Sequence, residues 1–292
     1  MLSILIPTYR YPLLPLLTQL LAQLQGADYG WEIRAYDDGS PAEWRAQHRP
    51  LGHWPPQLVY RELSKNLGRA AVRNLLAREA KYTTLLFLDA DGRLPHAYLT
   101  AYLPYCAGQS VVCGGRSYGN EAVHAEQFLH WTYGRQRESR SAAARRRQPY
   151  LGFQTNNFLA PRALLLRHPF AEVNAEYGHE DTLWGWQLAA LGVPIVHIDN
   201  AVDHLGLEAA PIFLAKQRQA VSSLRRLEAL APDLPTQLGR WAARLGPLQP
   251  LLRPFLRGLS PRLEQRLLTE TSPSLYYLDA LKLYWYWTER LK

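Results

Sequence analysis

Short apolar runs alternate with longer helical patterns along the first part of the chain, and this alternation constrains the fold most strongly. The segments Leu13–Gln25 and Leu67–Lys81 have the apolar spacing of helices. Strands alternating with helices of this length predict βαβ units and a mostly parallel, Rossmann-like sheet flanked by helices, which is an α/β fold. The runs predicted to be strands are Leu2–Pro7, Trp31–Tyr36, Leu58–Arg61, Thr84–Leu88 and Val111–Gly114.

The composition excludes several classes of protein. The chain has 292 residues, and its 7 Phe, 9 Trp and 17 Tyr can fill a sizeable core, which excludes disorder throughout. Cys106 and Cys113 are the only cysteines, too few for a disulfide scaffold or a zinc site of thiolates. Together with the absence of a recognisable leader or long apolar stretch, this favours a cytoplasmic protein.

The positive charge is concentrated in the tail. The net charge is +8, and residues 211–292 hold 13 Lys and Arg against 6 Asp and Glu. We therefore expect a catalytic domain over residues 1–210 and a basic, aromatic-rich helical extension over residues 211–292. Prolines at 232, 235, 247, 250, 254 and 261 predict several short helices there.

The tail has three alternative roles. The segment 275–292 contains six Tyr and Trp residues (276, 277, 284, 285, 286 and 287). Such residues are typical of contact with the inner face of a membrane, of a homodimer interface, or of packing against the rest of the chain. The number of aromatic residues favours packing slightly.

Acidic residues follow two of the predicted strands. Asp37 and Asp38 end the second strand, and Asp89 and Asp91 end the fourth. The carboxyl ends of parallel strands share one edge, where open α/β sheets bind ligands. Four clustered carboxylates would repel one another unless cations occupied the site. A divalent metal with a phosphate ligand would resolve this repulsion.

Five ordered motifs and a later histidine carry a family resemblance. The motifs are LSILIPTY at the start, DDGS at Asp37–Ser40, NLGRAAVRN at Asn66–Asn74, LLFLDAD at Leu85–Asp91 and GHED at Gly178–Asp181, followed by His204 in DNAVDHLG. In this order they resemble the family-two glycosyltransferases with the GT-A fold, over roughly residues 1–210. The resemblance implies a nucleotide-sugar half over about 1–115 and an acceptor half over about 116–210.

The resemblance also implies an activity. Such an enzyme transfers a sugar, with inversion, from a nucleotide-diphosphate sugar to an acceptor hydroxyl, in polysaccharide or glycoconjugate synthesis. The expected donor is a UDP-sugar carrying a hexose or an N-acetylhexosamine. The expected acceptor is a saccharide or a lipid-linked saccharide, and the expected cofactor is Mn²⁺ or Mg²⁺.

The resemblance assigns the metal to Asp89, Asp91 and His204. Asp91 is the expected direct ligand, with Asp89 nearer the ribose and the water shell of the metal. An imidazole ligand favours manganese slightly. The donor contacts implied are Pro7, Thr8, Tyr9, Asp38, Asn66, Arg73, Asp89, Ala90 and Asp91.

The GHED motif supplies the expected general base. Asp181 lies near the start of a predicted helix that ends at Gly192. The helix dipole stabilises an ionised carboxylate there, as a base requires. Glu180 is the flanking acid, with an expected contact to the acceptor.

A less specific group of residues is expected near the acceptor or the sugar. Arg116, Asn156 and Asn157 offer donors and acceptors to sugar hydroxyls. Trp184 is either a sugar platform or a core residue. Six arginines between Arg135 and Arg147 predict a mobile basic loop near the donor, or a solvated one.

Three rival functions remain open. One is a catalytically inactive nucleotide-sugar-binding module, against which the complete set of acidic residues and His204 argues. Another is a nucleic-acid-binding protein that uses the basic tail. The near-neutral front of the chain, where the motifs lie, argues against it, and no nucleic-acid partner is expected. A nucleotidyltransferase shares the acidic metal chemistry but does not explain the GHED motif.

Overall fold

The chain divides into two compact units in the computed structural model. The structure describes residues 1–48, 54–119, 123–172, 178–231, 233–234 and 236–288. Among these residues, the first unit is drawn from Met1–Gly119, Ser139–Ala175 and Glu180–Gly206, and the second from Asn120–Glu138, Glu176–His179 and Leu207–Lys292. The sequence predicts one boundary near residue 210, whereas this division also groups residues 123–138 with the C-terminal helices.

The predicted α/β fold is confirmed, and the ends of the five predicted strands differ from the observed ends by at most one residue. The strands are β1 (Leu2–Thr8), β2 (Trp31–Asp37), β3 (Leu58–Glu62), β4 (Thr84–Leu88), β5 (Gly92–Arg93), β6 (Val111–Cys113), β7 (Arg116–Ser117), β8 (Asn157–Pro161), β9 (Ile195–His197) and β10 (Val202–His204). The helices are α1 (Leu14–Leu24), α2 (Ala42–Ala46), α3 (Arg69–Glu79), α4 (Tyr98–Tyr102), α5 (Phe128–Tyr133), α6 (Ala142–Arg146), α7 (Arg162–Arg167), α8 (Glu180–Ala190), α9 (Ala210–Leu230), α10 (Gln237–Arg244), α11 (Gln249–Thr269) and α12 (Leu275–Thr288).

The main sheet of the first unit has seven strands in the order β3-β2-β1-β4-β8-β6-β9. β1 pairs in parallel with β2 and β4, β2 with β3, and β6 with β9. β8 is antiparallel to both β4 and β6. The sequence did not predict β8, because this strand begins at Asn157, the last residue of a polar run over 154–157 that is typical of a loop. The sheet is therefore mostly parallel, with one inserted antiparallel strand.

Both faces of this sheet are buried. In β1, Ile4 and Ile6 belong to one core cluster together with Leu17 of α1. Leu5 points to the opposite face and belongs to a second cluster with Leu76 of α3. This period of two places α1 and α3 on opposite faces, and it explains why the strands are nearly continuous apolar runs.

A second, three-stranded sheet in the order β5-β10-β7 lies in the same unit. β10 runs antiparallel to β5, with His204 opposite Gly92, and parallel to β7, with Asp203 opposite Ser117. The sequence did not predict this sheet, because strands of two or three residues carry too little periodic pattern. This sheet shapes the site because it pairs His204 with Gly92, which directly follows Asp91.

The second unit is helical, but the prediction of several short helices is only partly right. α9 and α11 each run for 21 residues, and α11 continues through Pro254 and Pro261. Each of these prolines lacks a backbone donor, and burial of Leu256, Leu263 and Leu267 offsets the loss. The predicted breaks at positions 232 and 235 lie outside the described residues.

The aromatic helix α12 contributes to the core of the second unit. Leu275, Leu278, Leu281 and Trp285 are buried together with residues of α9 and α11. Tyr276, in contrast, is 81% exposed. Among the described residues, no helix is both long enough and apolar enough to cross a bilayer.

Asn157 cross-links the first unit from the interior. Its Nδ2 donates to the carbonyl oxygens of Gly115 (3.0 Å) and Asn200 (2.8 Å). Its Oδ1 accepts from the hydroxyls of Tyr98 (2.8 Å) and Tyr102 (2.7 Å). The side chain is 0% exposed, so these four partners satisfy its entire hydrogen-bonding capacity.

We expect Asn157→Leu to lower the free energy of unfolding by at least about 3 kcal/mol, because two hydroxyls and two carbonyls would lose their buried partner. The neighbouring Asn156 provides the matched control. It is 5% exposed, and its Oδ1 has no hydrogen-bond partner among the residues that the structure describes. Asn156→Leu should cost about 1 kcal/mol or less in urea unfolding. Equal losses for the two variants would contradict the cross-linking role of Asn157.

Candidate active site

The two acidic motifs lie at one edge of the main sheet. β1, β2 and β4 run parallel, and Thr8 is opposite Asp37 where β1 and β2 end. Asp38 directly follows β2, and Asp89 directly follows β4. This edge is where open α/β sheets bind ligands.

Asp38 holds the residues that lead into α3. Its carboxylate is 4% exposed and accepts hydrogen bonds from the backbone amides of Leu67 (2.7 Å) and Gly68 (3.0 Å). Burial raises the pKa of Asp38 above its usual value, although the two hydrogen bonds oppose the rise. Asp37 similarly accepts from the amide of Ser40 at 2.7 Å. Both side chains therefore organise the backbone, and the predicted contact of Asp38 with the donor stays a prediction.

Arg73 connects the strand-end motif to the helix that carries the predicted base. Its side chain is 3% exposed, and its Nη2 donates to Asp89 Oδ1 at 2.8 Å. Its Nη1 lies 3.5 Å from Glu180 Oε1, and Arg69 Nη1 lies 3.9 Å from the same oxygen. Arg69 and Arg73 are one helical turn apart in α3 and so share a face. A buried cation between two carboxylates removes their mutual repulsion.

The second sheet places His204 beside Asp91. His204 Nδ1 lies 3.3 Å from Asp91 Oδ2. The backbone amide of Leu205 donates to the carbonyl oxygen of Asp91 at 2.8 Å. The chain then passes so close to Asp91 that a Cβ at Gly206 would lie 2.5 Å from its Oδ2. Only a glycine fits at position 206 without a shift.

The surroundings of Asp91 keep it ionised. Burial alone would raise the pKa of Asp91, but the nearby positive charges and the hydrogen bond with His204 together outweigh burial and hold the pKa well below its usual range. The charges of Arg116 and Arg69 act in the same direction. Tyr118, which sequence reasoning did not single out, packs edge-to-face against the ring of His204 at 5.4 Å.

Asp181 lies in the first turn of α8, next to Glu180. Burial and the neighbouring Glu180 charge raise the pKa of Asp181 to about 6, while hydrogen bonds from Thr182 and the charge of Arg116 oppose the rise. The backbone amide of Thr182 donates to Asp181 Oδ1 at 2.7 Å. Asp181 is therefore a carboxylate that is mostly ionised at neutral pH and has a raised affinity for a proton, as a general base requires.

The backbone before this turn adopts an uncommon conformation. Gly178 has φ of 105° and His179 has φ of 71°. A positive φ is uncommon for a residue with a side chain, and such strain is concentrated at functional sites. Strain at His179 therefore adds to the reasons for placing function at the GHED motif.

Arg116 lies beside the motif at the end of β4 and also affects Asp181 of the GHED motif. Its Nη2 is 3.6 Å from Asp89 Oδ2, and its charge lowers the pKa of both Asp91 and Asp181. It follows Gly115, whose φ of 90° needs a glycine. A Cβ at Gly115 would lie 1.8 Å from Nη1 of Arg145, so the guanidinium lies directly against this turn.

Arg145 departs from the prediction of a mobile or solvated basic loop over 135–147, whereas the other five arginines of this stretch are exposed. Arg145 is 2% exposed, and its Nη2 donates to the carbonyl oxygens of Gly114 (3.0 Å) and Ile198 (2.8 Å). Arg146 donates to the carbonyl oxygen of His197. These arginines fix the backbone on either side of the site, because long side chains satisfy carbonyls that the short strands leave unpaired.

The structure buries three of the residues predicted near the acceptor. Asn157 is the internal cross-link described above, and Asn156 is 5% exposed, with its carbonyl oxygen accepting from the Asp89 amide at 3.0 Å. Trp184 is 0% exposed, and its Nε1 donates to the carbonyl oxygen of His168 at 2.9 Å. It packs among phenylalanines, as the core alternative for this residue describes. None of the three presents its side chain at the surface.

The residues predicted to contact the donor differ in exposure. Tyr9 is 43% exposed and Asn66 is also exposed. Pro7 is half-buried, whereas Thr8 (3%) and Ala90 (6%) are buried. Tyr9 and Asn66 are therefore the most exposed of this group, and the side chains of Asp89 and Asp91 are each 26% exposed.

Among the described residues, no group of three or more His, Cys, Asp and Glu side chains is arranged to hold a metal ion. Asp91 and His204 nevertheless offer a carboxylate oxygen and an imidazole nitrogen 3.3 Å apart. Divalent metals at phosphate-transfer sites are commonly held by one or two protein ligands, with phosphate oxygens and water completing the shell. The pair fits such a metal, whereas Asp89 already faces Arg73 and Arg116.

The sheet order and the strand-end site define a GT-A fold. The family model for glycosyl transferase family 2 matches residues 3–173, and the chain belongs to that family. No curated protein gave a significant match.

Two solved structures show the same fold. The mannosyltransferase PcManGT from Pyrobaculum calidifontis, in complex with GDP-Man and Mn²⁺, is 17% identical with a TM-score of 0.56, over 99% of this chain and 88% of that one. S. aureus TarS in complex with UDP-GlcNAc is 17% identical with a TM-score of 0.50, over 97% of this chain and 89% of that one. At this level of identity the likeness concerns the fold alone.

The raised pKa of Asp181 has a consequence for stability. The folded state favours the protonated carboxyl, so the ionised form lowers the stability of the fold above pH 6. This cost decreases as the pH falls toward the pKa that Asp181 has in the unfolded chain. We expect Asp181→Asn to raise the free energy of unfolding by about 1–3 kcal/mol at pH 8. The gain should shrink steadily as the pH is lowered to about 4.5.

Urea unfolding at the two pH values measures this difference. Asp28→Asn is the control, because Asp28 is an exposed acid away from these motifs. A loss of stability in Asp181→Asn at pH 8 would show that the ionised carboxylate is stabilised in the fold.

Proposed function

We propose that this protein is a metal-dependent, inverting glycosyltransferase that moves a sugar from a nucleotide-diphosphate sugar to an acceptor hydroxyl. One observation carries the proposal. Arg73 joins Asp89 of the strand-end motif to Glu180 of the base motif, at 2.8 Å and 3.5 Å. This contact supports the proposal, because a single-displacement transfer needs an anion-handling site next to a general base.

Asp91 and His204 are the residues that would hold the divalent metal, Mn²⁺ or Mg²⁺. The metal supplies charge neutralisation for the diphosphate as it leaves. Asp91 is ionised at neutral pH, so its oxygens can coordinate a cation. We assign Asp89 a supporting role, because its two oxygens face Arg73 and Arg116.

Asp181 is the proposed base. Its carboxylate accepts the proton of the attacking hydroxyl, because a pKa of about 6 leaves it mostly ionised at neutral pH and raises its affinity for a proton. Attack opposite the leaving group inverts the anomeric centre. Glu180 faces Arg73 and Arg69, so we propose that it positions the helix start. Its predicted contact with the acceptor is not needed for this role.

The donor lies over the ends of β1, β2 and β4 in this proposal. Tyr9 and Asn66 provide the exposed contacts for the nucleotide, and the start of α3 lies beside them. We propose a UDP-sugar as the donor and a saccharide or lipid-linked saccharide as the acceptor. A first screen of donors should therefore test UDP-sugars, including UDP-GlcNAc, and also GDP-Man, because the two solved structures named above contain UDP-GlcNAc and GDP-Man.

We expect Asp181→Asn to lower kcat by about 10²–10⁴-fold, because an amide cannot accept the hydroxyl proton. The dissociation constant of the donor should change little, since the proposed donor contacts lie on other residues. In the wild type, the transfer rate should fall as the pH drops through about 6, where Asp181 becomes protonated. Transfer assays across pH and calorimetric titration of the donor in Mn²⁺ measure these quantities.

Asp91→Ala is the complementary variant. It should weaken Mn²⁺-dependent donor binding. Glu180→Gln should lower kcat less than Asp181→Asn does. Asp28→Asn, an exposed control, should alter neither rate nor affinity. An inactive Glu180→Gln with an active Asp181→Asn would reverse the two roles. If no nucleotide sugar binds the wild type with Mn²⁺ present, the proposed function is wrong.

A further inference from the structure

Large apolar side chains are exposed on two consecutive helices of the second unit. Trp241 of α10 is 50% exposed, Leu248 is 51%, and Leu251 and Phe255 of α11 are 74% and 64% exposed. Gly246–Leu248 is the short 3-10 turn that joins the helices. We call these four side chains the apolar stripe. A soluble surface gains nothing from presenting four such groups in succession, so the stripe calls for a partner.

The core of the second unit does not require these residues. Leu248, Leu251 and Phe255 are separated by three and four positions, which places them on one side of the helical path. The core is filled from α11 by Leu263 and Leu267, which are at most 7% exposed. The stripe therefore lies outside the buried side of α11.

The segment of sequence that carries the stripe is basic. Between Asp233 and Glu264 the sequence holds five arginines and no acidic residue. All five are exposed: Arg240, Arg244, Arg253, Arg257 and Arg262. Arg244 also lies over the ring of Trp241 at 5.8 Å from its centroid. A partner of this surface must accept apolar side chains and carry negative charge.

We propose that α10 and α11 dock this protein on an anionic lipid bilayer. Amphipathic helices with Trp, Phe and Leu beside arginines lie in the headgroup region of such membranes, where apolar burial and attraction to anionic lipids act together. A nucleic acid would pair with the arginines and stack on Trp241, but it would leave Leu248 and Leu251 in water. An anionic lipid surface offers a partner to the apolar side chains and to the arginines.

Membrane contact is one of the three roles that the sequence leaves open for the aromatic helix α12. Leu278, Leu281 and Trp285 of this helix are at most 2% exposed in the core of the unit. The membrane-facing residues are assigned to α10 and α11 instead. This inference does not depend on the transfer reaction and can be tested without any sugar substrate.

Sedimentation of the full-length protein with vesicles tests the proposal directly. Vesicles of phosphatidylcholine with phosphatidylglycerol should bind the wild type at low salt, and vesicles of phosphatidylcholine alone should bind it much less. The double variant Leu251→Ser/Phe255→Ser should reduce the partition coefficient at least tenfold, roughly the effect of losing one buried side chain. Arg244→Gln/Arg262→Gln should reduce it by about fivefold per arginine, because Arg244 lies over Trp241 and Arg262 is about three turns from Leu251 on the same side of α11.

Tyr276→Ser is the matched control, because Tyr276 is an 81% exposed aromatic residue on α12. It should bind vesicles like the wild type. The proposal is overturned if the wild type does not bind anionic vesicles or if Leu251→Ser/Phe255→Ser binds them as tightly as the wild type. It is equally overturned if Tyr276→Ser reduces vesicle binding as much as Leu251→Ser/Phe255→Ser does. It is also overturned if the stripe instead forms a dimer in solution that Leu251→Ser/Phe255→Ser abolishes.

Discussion

The ion pairs of Arg73 are the interaction on which the candidate site depends. A guanidinium that is 3% exposed contacts Asp89 after β4 and Glu180 at the start of α8. These carboxylates are 91 residues apart in sequence, and without a shared cation they would repel each other in a partly buried environment. Removing one member of such a buried network leaves the others uncompensated, which is far more costly than losing an exposed pair. The position of the base motif therefore depends on a residue of α3 rather than on either acidic motif alone.

The rest of the site distributes charge around this bridge. Asp91 faces His204, and this contact holds the pKa of Asp91 low, whereas burial and the neighbouring Glu180 charge raise the pKa of Asp181 to about 6. Two carboxylates of the same site thus acquire different proton affinities, as the proposed division between metal binding and proton transfer requires. The three-stranded sheet makes this arrangement possible, because pairing His204 with Gly92 brings the end of the catalytic region back to the strand-end motif.

The sequence predicted the part of this structure that local patterns encode. Strands such as Thr84–Leu88 are continuous apolar runs that stop at polar residues, so their ends could be placed closely. β8 and the short β10 could not, because their residues pair with distant strands and carry no period of their own. Arg145 was misread as part of a basic loop, since a sequence does not show which carbonyls need a donor. α11 continues past Pro254 because burial of distant leucines outweighs local propensity. Of the site, the acidic residues could be predicted from strand ends and motifs, whereas the contact of Arg73 with Glu180 needed the structure.

A double-mutant cycle on Arg73 and Glu180, measured as kcat/KM for sugar transfer, tests the central claim most directly. If Arg73 holds the base helix through Glu180, Arg73→Gln and Glu180→Gln should be strongly non-additive, with a coupling of about 1–3 kcal/mol. The same cycle with Arg69→Gln, whose side chain is 51% exposed and 3.9 Å from Glu180, should show a much smaller coupling. Additive effects of Arg73→Gln and Glu180→Gln, within about 0.5 kcal/mol, would contradict the account.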